Sequence, residues 1–281
     1  MPIAVSFGRA RDGGRDEEAV RFQGFQMNDK SSSARRPIYS EFFRLVLSRF
    51  PFLHAKKPVT LNRSHYKSIW NSVSGSEQDA KLAVSGFVEE ERYRESGEGT
   101  VAMLKQFTGI TPEDVVLEIG AGVGRVGVVL APICKEWIGV DVSENMLGHI
   151  ERRLAGMANV RTVATNGFDL SGISSESVNV VYSTVVFMHL DEWDRYGYIK
   201  EGFRVLKPGG RMLVDNVDLT SDLGWEFFEQ HCAMPPHERP AQISKTSTPQ
   251  ELETYFRRSG FEAIEQHRGG LWIITCGRKP V

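Results

Sequence analysis

From Pro112 onward, short apolar runs alternate with helix-length segments: VVLEIG, WIGVDV, VRTVAT, VNVVYST and GRMLVDNV recur in that order. Strands interleaved with helices cannot pair as successive hairpins, so the pattern specifies a mainly parallel, doubly wound α/β sheet. The last two runs, FEAIEQ and LWIITC, depart from it, because Arg268-Gly269-Gly270 joins them with no room for a crossover helix. They must pair as an antiparallel hairpin, which gives a seven-stranded sheet with an antiparallel last strand. Ahead of that hairpin, Thr248 reads as a helix N-cap, with Pro249 at the first helical position and Glu251 three residues beyond the cap. The helix should run to Arg258 and end at Gly260.

The front of the chain has a different texture. Residues 1–38 are rich in Gly, Ser and charge without a sustained apolar period, and read as a mobile leader. From Ser40 to Phe50, Phe42, Phe43, Val46, Leu47 and Phe50 recur at helical spacing and Pro51 closes the pattern, so a short amphipathic helix is expected there. Three further helical stretches, Leu61–Val73, Glu77–Glu91 and Glu98–Phe107, are separated by Ser74-Gly75-Ser76 and Ser96-Gly97. They form an N-terminal helical cap ahead of the sheet.

Charge follows the same division: 13 of the 34 Lys/Arg but 6 of the 36 Asp/Glu fall in residues 1–70, leaving 21 against 30 beyond. A basic arm can recruit nucleic acid, but a short solvated basic leader is the commoner case, so nucleic acid is not the expected partner. Cys134, Cys232 and Cys276 have no ligand-type spacing, which argues against a metal centre or a disulfide framework. With no run near the ~18 apolar residues of a membrane span and no signal-type stretch, the expectation is a cytoplasmic protein. Composition does not set an oligomeric state.

The stretch Val115–Arg125 is a buried strand entering a loop of alternate glycines, with a helix from about Val126. Such glycines let a ligand approach the backbone beside the unpaired N–H groups of a helix start. Two parsings are open: Gly120, Gly122 and Gly124 as GxGxG, or Gly122, Gly124 and Gly127 as the GxGxxG of dinucleotide oxidoreductases. Glu118, two residues before the first glycine, suits a cationic ligand better than a pyrophosphate. Asp141 ends the next strand, 21 residues after Gly120, where an acid can accept both hydroxyls of a ribose.

VLEIGAGVGR and VDVSENML resemble the first two motifs of the class I S-adenosylmethionine-dependent methyltransferases, and VNVVYSTVVFMHL and EGFRVLKPGGRML resemble that family's fourth- and fifth-strand segments. The resemblance covers about residues 100–277 and implies a Rossmann-like domain over 100–281, after a cap at 39–99 and the leader at 1–38. It implies S-adenosylmethionine as cofactor, held by Glu118, Gly120, Gly122, Gly124 and Arg125, with Asp141 and Val142 at the ribose and Met146 beside the adenine. Asn166, Gly167 and Phe168 fall where the family places an acid and small or apolar residues around the adenine amine; Asn166 keeps an oxygen but removes the charge. Ser183 and Thr184 end the fourth strand, where the family's cofactor methyl points.

The implied function is methyl transfer to an oxygen or nitrogen of a small organic acceptor. His189, able to titrate near neutrality, is the candidate base. Asp215-Asn216-Val217-Asp218 lies where it can reach the acceptor or cap the next helix, and Trp225–Pro240 reads as a pocket wall. Tyr66, Trp70, Phe87, Tyr93 and Arg94 are candidate cap walls. The competing readings are an NAD(P)-dependent oxidoreductase, an RNA or protein methyltransferase, and a binding protein that keeps the cofactor without turnover.

Overall fold

A computed structural model describes residues 65–281, which lie within one compact unit. The leader, the amphipathic helix at Ser40–Phe50 and the expected start of the first cap helix at Leu61 fall outside the described residues. Cap helices α1 (His65–Ser72), α2 (Glu77–Ser85) and α3 (Glu90–Thr108) come first. Ser74-Gly75-Ser76 separates helices as expected, and Ser76 caps α2 by accepting from the Asp79 N–H.

The second expected break is displaced. The chain leaves helix at Gly86, φ +78°, and Ser96-Gly97 lies inside α3. Gly97 is there for packing, since a Cβ would stand 2.6 Å from the Arg125 carbonyl oxygen. The boundary expected between residues 99 and 100 therefore falls within a helix.

The sheet contains β1 (Val115–Ile119), β2 (Glu136–Asp141), β3 (Val160–Ala164), β4 (Val178–Ser183) and β5 (Leu206–Asp218), joined by α4 (Gly127–Leu130), α5 (Glu144–Arg153) and α6 (Glu192–Val205). After α7 (Asp222–Cys232), β6 (Thr246–Ser247) and α8 (Pro249–Ser259) come the hairpin strands β7 (Glu262–Gly269) and β8 (Trp272–Arg278). The order is β3-β2-β1-β4-β5-β8-β7, parallel from β3 to β5, with β8 antiparallel to both β5 and β7. Seven strands form this order as expected; β6, two residues long, pairs with β5 outside it. Thr248 caps α8 through the Glu251 N–H, and Gly260 ends it at φ +98°.

Alternation along β1 explains the two covered faces. Leu117 and Ile119 join Val140, Val181, Met212 and Phe256 on one side, while Val116 joins Trp137, Val180, Leu213 and Leu104 on the other. Every one of these side chains is at most 2% exposed, and each contributes about 1.5–3 kcal/mol by leaving water. With both faces covered by helices, the carboxyl ends of the strands are where loops are free to build a site.

Candidate functional site

A cleft of about 700 Å³, open to solvent, lies at the carboxyl ends of β1, β2 and β4 beneath α1 and α2. Of the residues expected at the site, Gly120, Gly122, Asp141, Val142, Met146, Gly167, Thr184 and His189 line it together. Glu118, Gly124, Arg125, Asn166, Phe168 and Ser183 are not among its lining residues.

The glycine loop turns sharply after β1, with Gly120, Gly122 and Gly124 at φ +72°, +55° and +77°. Side chains rarely adopt that region, so glycine is required for the turn. A Cβ on Gly120 would meet Val186, and one on Gly122 would meet Val84 of α2. Val84 and Val186 line the cleft, whereas Gly124 and Gly127 face the core: their added Cβ atoms would meet Ile150 and Leu154, and the Trp137 ring. The GxGxxG parsing thus counts two glycines that serve helix packing.

Asp141 is buried, and its two carboxylate oxygens accept from the Gly122 and Ser143 amides, each at 2.9 Å. Burial raises its pKa to about 6, against the lowering effect of those amide bonds. Ser143 also caps α5 by accepting from the Met146 N–H, which brings Met146 to the cleft wall. At the same end, the Asn166 Oδ1 accepts from the Phe168 and Asp169 amides and so shapes the turn holding Gly167. Phe168 itself points outward, 58% exposed.

The structure corrects the expected orientation of Glu118. Its carboxylate accepts from the Tyr182 hydroxyl at 2.6 Å, and that hydroxyl accepts from the Trp137 ring N–H, so the group lies in the layer below the loop. Burial pushes the carboxyl up to about 8, with the Tyr182 bond opposing. Arg125 likewise ties the loop to α3, donating to the Ser96 carbonyl and the Thr100 hydroxyl. Ser183 donates to the Ile119 carbonyl and is fully buried.

At the β4 end, His189 closes a short 3₁₀ turn, Phe187–His189, and its Nδ1 lies 2.9 Å from the Gln242 carbonyl oxygen. A carbonyl can only accept, so Nδ1 carries the proton and Nε2 keeps its lone pair. Burial lowers this histidine to about 4, leaving it neutral at ordinary pH. Its ring meets the edge of Trp70 at 5.1 Å.

The Gln242 segment is held in turn by the Lys245 amide on the Met188 carbonyl and by the Lys245–Asp191 ion pair. Asp215 reaches this end indirectly, through the Val185 amide, while Asn216 receives no role at the cleft because its Nδ2 donates to Ser247. The Asp218 Oδ2 pairs with Arg268, and Ser221 is the residue that caps α7.

The cap candidates divide. Tyr66 and Trp70 line the cleft, and the Tyr66 hydroxyl donates to Asp194 and accepts from the Asp191 amide. Phe87 and Tyr93 pack with Ala80, Val123 and Met146, while Arg94 pairs with Glu98 on the surface. Trp225–Pro240, expected as a pocket wall, contributes nothing to the lining; most of it is helix α7 and the turn Pro236–Glu238.

Sequence reasoning missed Ala83, Val84, Ile119, Thr165, Val185, Val186, Leu190 and Tyr198, which complete the walls. Val185 and Val186 stood within the recognised fourth-strand segment. Val84 and Tyr198 carry no local signal, because only tertiary packing brings their helices to the cleft.

Comparison with known proteins agrees with this layout. Residues 116–210 match a family described as a methyltransferase domain. The chain is 28% identical over 247 residues to the demethylmenaquinone methyltransferase of Lactococcus lactis, covering 80% of this chain and 95% of that protein. It is 26% identical over 176 residues to the arsenite methyltransferase of Halobacterium salinarum, covering 57% of this chain but only 40% of that protein. Magnesium protoporphyrin IX methyltransferase from Synechocystis, solved with bound S-adenosylhomocysteine, shares the fold at a TM-score of 0.59 and 16% identity, over 78% of this chain and all of that one. The matched domain spans the glycine loop, Asp141 and the β4 end of the cleft, and together with these relatives it supports a class I S-adenosylmethionine-dependent methyltransferase with S-adenosylmethionine as cofactor.

Proposed function

We propose that this protein transfers a methyl group from S-adenosylmethionine to an oxygen or nitrogen of a small organic acceptor, with His189 as the base. The observation that carries the reading is one continuous cleft with a ligand-approachable glycine turn at one end and a neutral, tautomer-fixed histidine at the other.

The residues present fit the cofactor. Each oxygen of Asp141 spends one acceptor site on a loop amide and keeps another for a ribose hydroxyl. Gly120 and Gly122 offer bare backbone, and Val142, Met146 and Gly167 offer apolar walls for a base. Around them Glu118, Gly124, Arg125 and Asn166 hold the loop and turn in shape, Ser183 fixes the end of β4, and Phe168 stands at the rim.

The cofactor supplies an electrophilic methyl on a sulfonium. What the chain must add is alignment, exclusion of water and removal of a proton from a hydroxyl or amine. Helices α1 and α2 supply the cover, through Tyr66, Trp70, Ala83 and Val84. The His189 Nε2 lone pair supplies the proton acceptor, with the Gln242 carbonyl fixing which nitrogen is free.

The test is incubation with methyl-labelled S-adenosylmethionine and a panel of phenols, amines and carboxylates. Label in an O- or N-methyl product, accompanied by S-adenosylhomocysteine, supports the proposal. Label on carbon, or on RNA or protein alone, contradicts it, and background release throughout favours a binding protein without turnover. The basic residues that would recruit a macromolecule lie largely in 1–64, outside the described region.

A further inference from the structure

Arg195 on α6 is 3% exposed, yet it does not line the cleft. A guanidinium stays charged, so a buried one has to be matched by several acceptors. Here those acceptors lie on remote segments. Its Nε donates to the Phe187 carbonyl at 2.9 Å, and its Nη1 donates to the Thr246 carbonyl at 3.1 Å and the Ser247 hydroxyl at 2.6 Å. The Glu251 carboxylate, 3.1 Å from the same Nη1, balances the charge.

Phe187 opens the 3₁₀ turn that His189 closes, and Thr246 lies shortly beyond Gln242, whose carbonyl accepts the His189 Nδ1–H. One planar fork therefore spans the two segments whose separation decides whether that bond forms. Two further ties, the Lys245 amide on the Met188 carbonyl and the Lys245–Asp191 ion pair, act along the same seam but leave the first residue of the turn unfixed. Stability alone does not account for the arginine, because replacing a buried ion pair by apolar residues is often neutral or stabilising. What a fork of fixed geometry adds is register.

Resting on the methyl-transfer reading with His189 as base, we propose that Arg195 is a positioning residue: by clamping the Phe187 and Thr246 carbonyls it keeps the Gln242 carbonyl opposite Nδ1, and so keeps the Nε2 lone pair free for the acceptor's proton. The tautomer of the base is thus set by a side chain outside the cleft.

The test uses the full chain with its histidines labelled for nitrogen NMR, read near neutral pH, with His189→Gln assigning the signals. In the wild type the two His189 ring-nitrogen shifts should stand far apart, with Nδ1 protonated. Arg195→Lys keeps a charge for Glu251 but cannot fork between two carbonyls, so the separation should fall by about half or more as the tautomers mix. Glu251→Gln weakens the ion pair but spares the clamp, and should keep the separation to within about a tenth. Arg195→Met combined with Glu251→Leu removes the pair as a unit; it should bind S-adenosylhomocysteine within about twofold of the wild type, yet lose the separation as Arg195→Lys does. Wild-type separation in either Arg195 variant, the same loss in Glu251→Gln, or an Nε2-protonated ring in the unmodified chain overturns the proposal; the last holds even if every variant fails to fold. Failure of the unmodified chain to bind S-adenosylhomocysteine instead removes the methyl-transfer reading and leaves the ring comparison standing.

Discussion

The two ends of the cleft are built by different means. At the β1–β2 end the polar lining is backbone and one carboxylate, beside the apolar Val142 and Met146: glycines at positive φ, with Asp141 clamped by the Gly122 and Ser143 amides. At the β4 end it is side chains on an irregular turn, with Val185 strained onto Asp215 and the His189 ring set by a carbonyl 53 residues further along. A backbone-built end is written in a few consecutive residues. A side-chain-built end is written in segments that only the fold brings together, and it is the end that can diverge among proteins sharing one cofactor.

That difference can be broken most severely at the loop. Gly122→Val should lower affinity for S-adenosylhomocysteine by about 100-fold or more, roughly 2.7 kcal/mol, because φ is +55° and the new side chain would meet Val84. Calorimetry checks it, and unchanged affinity would place the cofactor elsewhere.

At the opposite end, His189→Gln should reduce turnover by about 100-fold while leaving cofactor affinity within about twofold. The pH profile sharpens the assignment. With the folded value near 4, the imidazole is already neutral from pH 5 upward, so the limb due to His189 should lie near 4 rather than 6.5. Lys245 is the charged neighbour that helps keep it low. A limb at 6.5 that vanishes in His189→Gln would contradict the environment described.

A smaller effect separates both ends from the layer beneath. The carboxyl of Glu118, raised to about 8 by burial, holds its proton in the folded chain where the unfolded chain has already lost it. Its contribution to stability is therefore present below about pH 4.5 and lost as pH rises towards 8. Glu118→Gln keeps an oxygen for Tyr182 without the titration. Relative to wild type it should gain about 1 kcal/mol or more between pH 5 and 8, measured by denaturant unfolding. A constant difference across that range would show that Glu118 is ionised where it stands.

How far the sequence was readable follows the same division. The parallel sheet, the terminal hairpin, the Thr248 cap and the glycine loop rest on consecutive residues, and each stands as expected. Gly97 was read as a helix break because a glycine's reason for being small is invisible locally; here it is the Arg125 carbonyl. Glu118 was turned the wrong way, although strand alternation from Leu117 places it on the Val116 side. Asp215 was left between reaching the acceptor and capping the next helix, and its hydrogen bond runs instead to a backbone amide just after the neighbouring strand. The turn that His189 shares with Gln242 and Lys245 joins segments more than 50 residues apart, and no spacing rule reaches that far.

The central claim, that the glycine turn and Asp141 form an S-adenosylmethionine site and not a dinucleotide site, is tested most directly by one calorimetric comparison. S-adenosylhomocysteine should bind the wild type at one site per chain, about 10–100-fold more weakly to Asp141→Ala, and NADH should give no saturable heat. Saturable NADH binding that Asp141→Ala weakens, with none for S-adenosylhomocysteine, would contradict the account.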